Sequence, residues 1–148
     1  MALPALREDG WLPEGHHETT WKEIAEVFGG KPGSRRAQVL LRLLEWRDAL
    51  RGTGVAGRVI LNGSFISAKT EPGDFDLIFV YDESARAIIN RDADAKALTD
   101  YTYCKAAGYG DVFTFAVAAV RAFPDFCRLD MFDTDKKGIP KGVVEVAL

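Results

Sequence analysis

The sequence predicts an α+β domain, a β-sheet flanked by helices, and three observations carry that prediction. Two apolar runs, residues 59–61 and 75–80, have the β-branched and aromatic content of strands and are set off by glycine-bearing turns. A capped amphipathic segment over residues 35–51 precedes them. Further strand-like runs at 127–132 and 143–146 follow a helical middle. At 148 residues and 47% hydrophobic content the chain suits one core, so a single domain is expected. Its parts are an irregular arm (1–18), a helical lead-in (19–56) and a sheet-bearing core (57–148).

In the arm, Pro4, Pro13, Gly10 and Gly15 break regular structure, and Trp11 with the leucines fastens it to the body. His16 and His17 are adjacent, and neighbouring side chains seldom converge on a metal without other ligands, so they read as loop histidines. Thr20-Trp21-Lys22-Glu23 is a capping box that opens a helix through Phe28, stopped by Gly29-Gly30 and Pro32. Ser34 caps the second helix. There Val39, Leu40, Leu43, Leu44, Trp46 and Leu50 form a wide core-facing stripe, with Arg42, Glu45, Arg47 and Asp48 elsewhere. Gly52, Gly54 and Gly57 loosen the chain before the first central strand.

After the second strand, Tyr81-Asp82-Glu83-Ser84 turns into a helical region over 84–106, interrupted near residues 90–92. Tyr101 and Tyr103 read as packing aromatics, with stacking on a base or ribose as the alternative. Residues 108–111 are a break. The alanines and the length of residues 112–123 favour helix over buried strand, ending at Pro124. On the strand at 127–132, Leu129, Met131 and Asp133 share one face and Arg128, Asp130 and Phe132 the other. A short last strand near the surface holds Val143, Val144 and Val146.

A formal charge of −3 shows no basic excess of the kind that marks a nucleic-acid surface, with Arg35-Arg36 a local exception. Cys104 and Cys127 are too few and too isolated for a disulfide framework or a zinc site, so reduced thiols and a cytoplasmic location are expected. No apolar stretch reaches the roughly eighteen residues of a membrane span, and the N-terminus has no signal-peptide pattern. Internal repeats and low-complexity tracts are absent from the sequence.

Chemistry concentrates between the two central strands. Residues two apart on a strand share a face, so Asp74 and Asp76 are placed to bend onto one cation or a metal pair. Carboxylate oxygens without His or Cys favour Mg²⁺ or Mn²⁺. Gly63-Ser64 supplies the complement: glycine lets backbone N–H groups approach a phosphate, and the serine hydroxyl donates as well. Lys69 adds a point charge within reach of phosphates, with a solvated loop lysine as the alternative; Ser67 is a weaker candidate.

Gly63-Ser64 followed ten residues later by Asp74-Phe75-Asp76 resembles the signature of the DNA-polymerase-β-like nucleotidyltransferase superfamily. The fuller pattern, Gly-Ser-Phe-x-x-x-Lys-x-x-Pro-x-Asp-x-Asp, is similar to a group of small bacterial nucleotidyltransferase-like proteins. Leu3-Pro4-Ala5-Leu6, Gly10, Leu12-Pro13 and Gly15 look like that group's opening, and Gly138 with Pro140-Lys141-Gly142-Val143-Val144 like its close. Relative to minimal antitoxin-type members, the serine-to-aspartate gap is one residue shorter and Ser67-Ala68-Lys69 replaces the usual Arg-Gly.

The resemblance implies a mixed sheet and transfer of a nucleoside monophosphate from an NTP to an acceptor hydroxyl, with release of pyrophosphate. The acceptor class stays open among a protein, a small molecule and an RNA end. Asp74 and Asp76 would hold Mg²⁺ or Mn²⁺, and Gly63, Ser64 and Lys69 the phosphates. Asp130 on the late strand would be the third carboxylate, as metal ligand or base, with Asp133 its competitor. The other reading the resemblance allows is an antitoxin-type regulator that acts by contact with a protein partner.

Overall fold

In the computed structural model the described residues are 2–123, 134, 135 and 137–148. They build a mixed five-stranded sheet with helices around it, a small α+β domain. The strands are β1 (Gly15–Glu18), β2 (Gly57–Asn62), β3 (Phe75–Tyr81), β4 (Gly110–Ala116) and β5 (Gly142–Ala147), in spatial order β1-β5-β2-β3-β4. β2 runs antiparallel to both β3 and β5, whereas β1–β5 and β3–β4 are parallel pairs. The residues predicted as a strand at 127–132, including Cys127, lie outside the described residues.

Both capped helices form where the sequence places them. In α1 (Trp21–Phe28) the Thr20 hydroxyl accepts from the Glu23 amide at 3.2 Å. The Glu23 carboxylate departs from the reciprocal capping-box bond and instead accepts from the Leu3 amide and the Thr19 hydroxyl, which ties the arm to the helix. In α2 (Arg35–Arg51) the Ser34 hydroxyl accepts from the Ala37 amide at 3.1 Å. The α2 stripe is core: Val39, Leu43, Trp46 and Leu50 are buried, and Trp46 Nε1 donates to the Leu98 carbonyl at 2.8 Å. Its indole meets Phe79 edge-on at 6.0 Å between centroids and Phe75 at 6.5 Å.

Strand alternation gives the sheet two different faces. Val59, Leu61, Phe75, Leu77, Phe79, Val112, Val144 and Val146 turn to the helical core. Ile60, Ile78, Val80 and Val143 turn the other way and pack with Phe113, Phe115, Val117 and Val120. After a 3₁₀ turn at Glu83–Ala85, the helical middle resolves into α3 (Arg86–Arg91), α4 (Ala93–Leu98) and α5 (Tyr101–Ala106), broken at Asp92 as the sequence suggests. Asp92 and Asp100 cap α4 and α5 through the Ala95 and Tyr103 amides. Tyr101 stacks on Phe113, 5.0 Å between centroids, so it packs as read.

Three expectations are corrected. Residues 112–123 are not one helix: Gly110–Ala116 is a strand, and only Val117–Ala122 (α6) is helical. Parallel pairing with β3 outweighs the helix propensity of the alanines, and Val112, Phe113, Thr114 and Phe115 suit a pleated surface. The arm is irregular only to residue 14, because Gly15–Glu18 pairs with β5, a partner distant in sequence. His16 and His17 therefore sit on a strand: His16 faces Glu145 at 3.6 Å, and His17 Nε2 bonds the Pro13 carbonyl at 2.6 Å. Finally, β5 lies between β1 and β2 with Val143 and Val144 fully buried, rather than near the surface. Among the described residues no helix is long and apolar enough to cross a membrane.

Candidate functional site

The site begins where β2 ends. Asn62 is the last residue of β2 and pairs with Asp76 on β3, which pairs in turn with Asp111 on β4. The register sets three polar side chains side by side at one end of the sheet face that also carries Ile60, Ile78 and Phe113. Gly63 then turns the chain with φ of 81°, a region that favours glycine. A Cβ at this position would also collide with the Asp76 carboxylate, so the turn backbone lies directly against that group. Ser64–Ile66 follows as a 3₁₀ turn whose Phe65 and Ile66 are buried anchors.

Two arginines at the start of α2 fix the surrounding loops. Arg36 donates to the carbonyls of Phe28 (3.2 Å), Ser64 (3.4 Å), Phe65, Ser67 and Lys69, gathering the whole turn around one guanidinium. Arg35 donates to the carbonyls of Pro72 and Gly73, directly before Asp74. The pair read as a local basic patch thus serves the backbone of both loops. Ser67 is buried; its hydroxyl donates to the Ser64 carbonyl (2.7 Å) and accepts from the Lys69 amide (3.2 Å), which makes it a brace of the turn.

Electrostatics single out Asp76. Its carboxyl is pushed up to about 7, first by burial, then by a hydrogen bond with Asp111 and by repulsion from Asp111 and Asp74, with Lys105 pulling the other way. Lys105 Nζ bridges the flanking pair, 2.6 Å from Asp111 Oδ1 and 3.4 Å from Asp74 Oδ2. That contact holds its ammonium well above the usual lysine range. Three aspartates and one lysine leave the row crowded with negative charge.

Gly63, Ser64, Lys69 and Asp76 line one cleft of about 790 Å³, shared with Trp11, Lys137 and Lys141. Asp74 opens instead onto a neighbouring cleft of about 490 Å³ with Arg35, Arg42 and Tyr109. The predicted carboxylate pair therefore spans the ridge between two clefts. Asp130 and its competitor Asp133 lie outside the described residues. For a metal, the all-oxygen donors suit Mg²⁺ or Mn²⁺, and the charge crowding at Asp76 is what a divalent cation relieves. Among the described residues, however, no group of three or more His, Cys, Asp or Glu side chains is gathered tightly enough to hold one. Asp74, Asp76 and Asp111 are the donors available at this edge.

A comparison with protein families matches residues 4–147 to a family of unknown function, DUF6932. The chain belongs to DUF6932. No curated protein and no solved structure matches it. The DUF6932 match runs from the arm to the last strand, so the arm, the Gly63 turn, the aspartate row and Lys141 all fall inside the family's extent.

Sequence reasoning missed three residues that this DUF6932 chain brings to the site. Asp111 was hidden because residues 108–111 read as a break; the alternation of Asp111, Phe113 and Phe115 with Val112 and Thr114 was the available signal. Arg36 was read with Arg35 as a local basic patch, and Lys141 only as part of the resemblance at the close of the chain. Lys141 is in fact 4% exposed, and its burial depends on contacts 79 and 130 residues away, which no local pattern reports.

Proposed function

We propose that this protein is a metal-dependent nucleotidyltransferase that moves a nucleoside monophosphate from an NTP to an acceptor hydroxyl. One observation carries the reading: Asp76 touches the Gly63-Ser64 turn, pairs with Asp111, and lines the same cleft as Ser64 and Lys69. Anion-ready donors and cation-ready carboxylates thus meet at one point. In the reaction, the acceptor oxygen bonds to the α-phosphorus while the bond from that phosphorus to the pyrophosphate oxygen breaks. Gly63 and Ser64 hold oxygens of the departing pyrophosphate, with Lys69 adding positive charge.

Asp74, Asp76 and Asp111, not gathered tightly in this structure, are the residues that would have to draw together to hold Mg²⁺ or Mn²⁺, which when bound neutralises charge on the attacking and leaving oxygens. Asp111 joins Asp130, which lies outside the described residues, as a candidate for the third ligand or for the acceptor of the hydroxyl proton. The antitoxin-type reading gains little from α2, whose apolar stripe is core, with Leu41 its exposed large apolar residue. The test is incubation of the purified protein with each α-labelled NTP, Mg²⁺ and cell lysate. The proposal expects label on a defined protein, RNA or small-molecule acceptor with the wild type and none with Asp76→Asn. Equal labelling by both proteins, or by neither, overturns it.

A further inference from the structure

The cleft has a second wall that the nucleotidyltransferase pattern does not describe, built from the two ends of the chain. The arm is held in place by backbone bonds: the Gly10 carbonyl accepts from the Ala68 amide at 2.9 Å, and the Leu12 carbonyl accepts from the Gly142 amide at 2.9 Å. Arg7 Nη1 donates to the Pro140 carbonyl at 2.9 Å, and Arg7 Nη2 pairs with Asp9 at 2.8 Å; Asp9 in turn accepts from the Trp11 amide. Leu12 is 1% exposed and locks the arm into the core. Trp11 is thereby fixed at the cleft edge, and Lys141 Nζ lies 4.1 Å from its ring centroid.

The same ammonium donates to Asn62 Oδ1 at 2.6 Å, directly behind the Gly63 turn. Lys137 is held beside Asp135: Asp135 Oδ1 accepts from the Lys137 and Ile139 amides at 2.8 and 2.9 Å, and Thr134 bridges to Pro140. Three lysines from two distant segments, Lys69 from one and Lys137 and Lys141 from the other, therefore converge on one cleft. Among the described residues, the acidic groups that share it besides Asp76 are already engaged, Asp9 by Arg7 and Asp135 by the Lys137 and Ile139 amides.

We propose that this wall is the polyphosphate-binding half of the cleft. Lys69 and Lys137 neutralise the phosphate chain of a nucleoside triphosphate from the open side. Lys141, held between Trp11 and Asn62, supplies a fixed positive charge behind the turn. The proposal rests on the nucleotidyltransferase reading for its ligand, and on the arm and the lysines for its geometry. The arm is then part of the binding site, rather than a strap that only stabilises the fold.

The test is titration calorimetry with inorganic tripolyphosphate in the absence of divalent cations, which separates this wall from the aspartate row. Wild type is expected to bind, with an affinity that falls as salt rises. Lys69→Met combined with Lys137→Met, both at exposed positions, is expected to weaken binding about tenfold or more. Lys141→Met and Trp11→Ala should weaken it too, with thermal unfolding run in parallel to identify any loss of fold. Lys22→Met, at an exposed lysine outside the cleft, should bind tripolyphosphate as well as the wild type. Absent binding by the wild type, or unchanged binding by the folded double lysine variant, overturns the proposal. Tripolyphosphate binding that follows the lysines in a protein that transfers no label leaves this wall standing and removes only the nucleotidyltransferase reading.

Discussion

Replacing Asp76 by Asn should stabilise the protein, and the gain should depend on pH in a defined direction. The Asp76 carboxyl is raised from an ordinary 3.8 to about 7, so the folded state keeps a proton that the unfolded chain releases. The stabilisation this represents is full below about pH 4 and is lost as pH climbs through about 7. A shift of this size corresponds to at most about 4 kcal/mol between the two protonation states. Asp76 is half-buried at an open sheet end, where solvent screening brings the expected effect to about 2 kcal/mol. Asn cannot ionise, so the variant escapes the loss. Thermal unfolding in EDTA should show Asp76→Asn gaining about 6–8 °C on the wild type between pH 4 and pH 8. Contributions from groups that do not interact with Asp76 are common to both proteins and cancel in this difference. A variant that is less stable than the wild type at pH 8, or a gap that does not change with pH, would refute the crowding argument.

Further perturbations probe the parts around it. Gly63→Ala should cost about 1–3 kcal/mol in urea unfolding, because the residue needs φ of 81° and an added methyl meets the Asp76 carboxylate. Arg36→Met leaves the gathered carbonyls of the turn without their donor and should cost about 2–4 kcal/mol by the same measurement. Lys105→Met removes the cation between Asp74 and Asp111; it should tighten Mg²⁺ binding in calorimetry while lowering metal-free stability by no more than about 1 kcal/mol.

The elements legible in the sequence are those specified by neighbouring residues. Thr20 and Ser34 cap the helices they were expected to cap, and the stripe from Val39 to Leu50 is buried. The β2–β3 pair, with Gly63-Ser64 at one strand's end and Asp76 on the other, was likewise readable from apolar runs and turn residues. What escaped depends on partners far along the chain. β1 exists because β5 is beside it, and β4 is a strand because β3 offers a parallel edge, although the alanines that follow it favour helix. Asp111 becomes a site residue only through that register, and Lys141 only because the arm folds Trp11 over it. The identities of the first carboxylates could therefore be read locally, whereas the groups that surround them could not.

The central claim is that the aspartate row and the Gly63-Ser64 turn act together on a metal-bound nucleotide. Equilibrium dialysis of labelled NTP, with and without Mg²⁺, tests it most directly on the wild type and the folded Asp74→Asn, Asp76→Asn double variant. The account predicts Mg²⁺-stimulated binding by the wild type that disappears in the double variant. NTP affinity that is equally Mg²⁺-dependent in both proteins would contradict it.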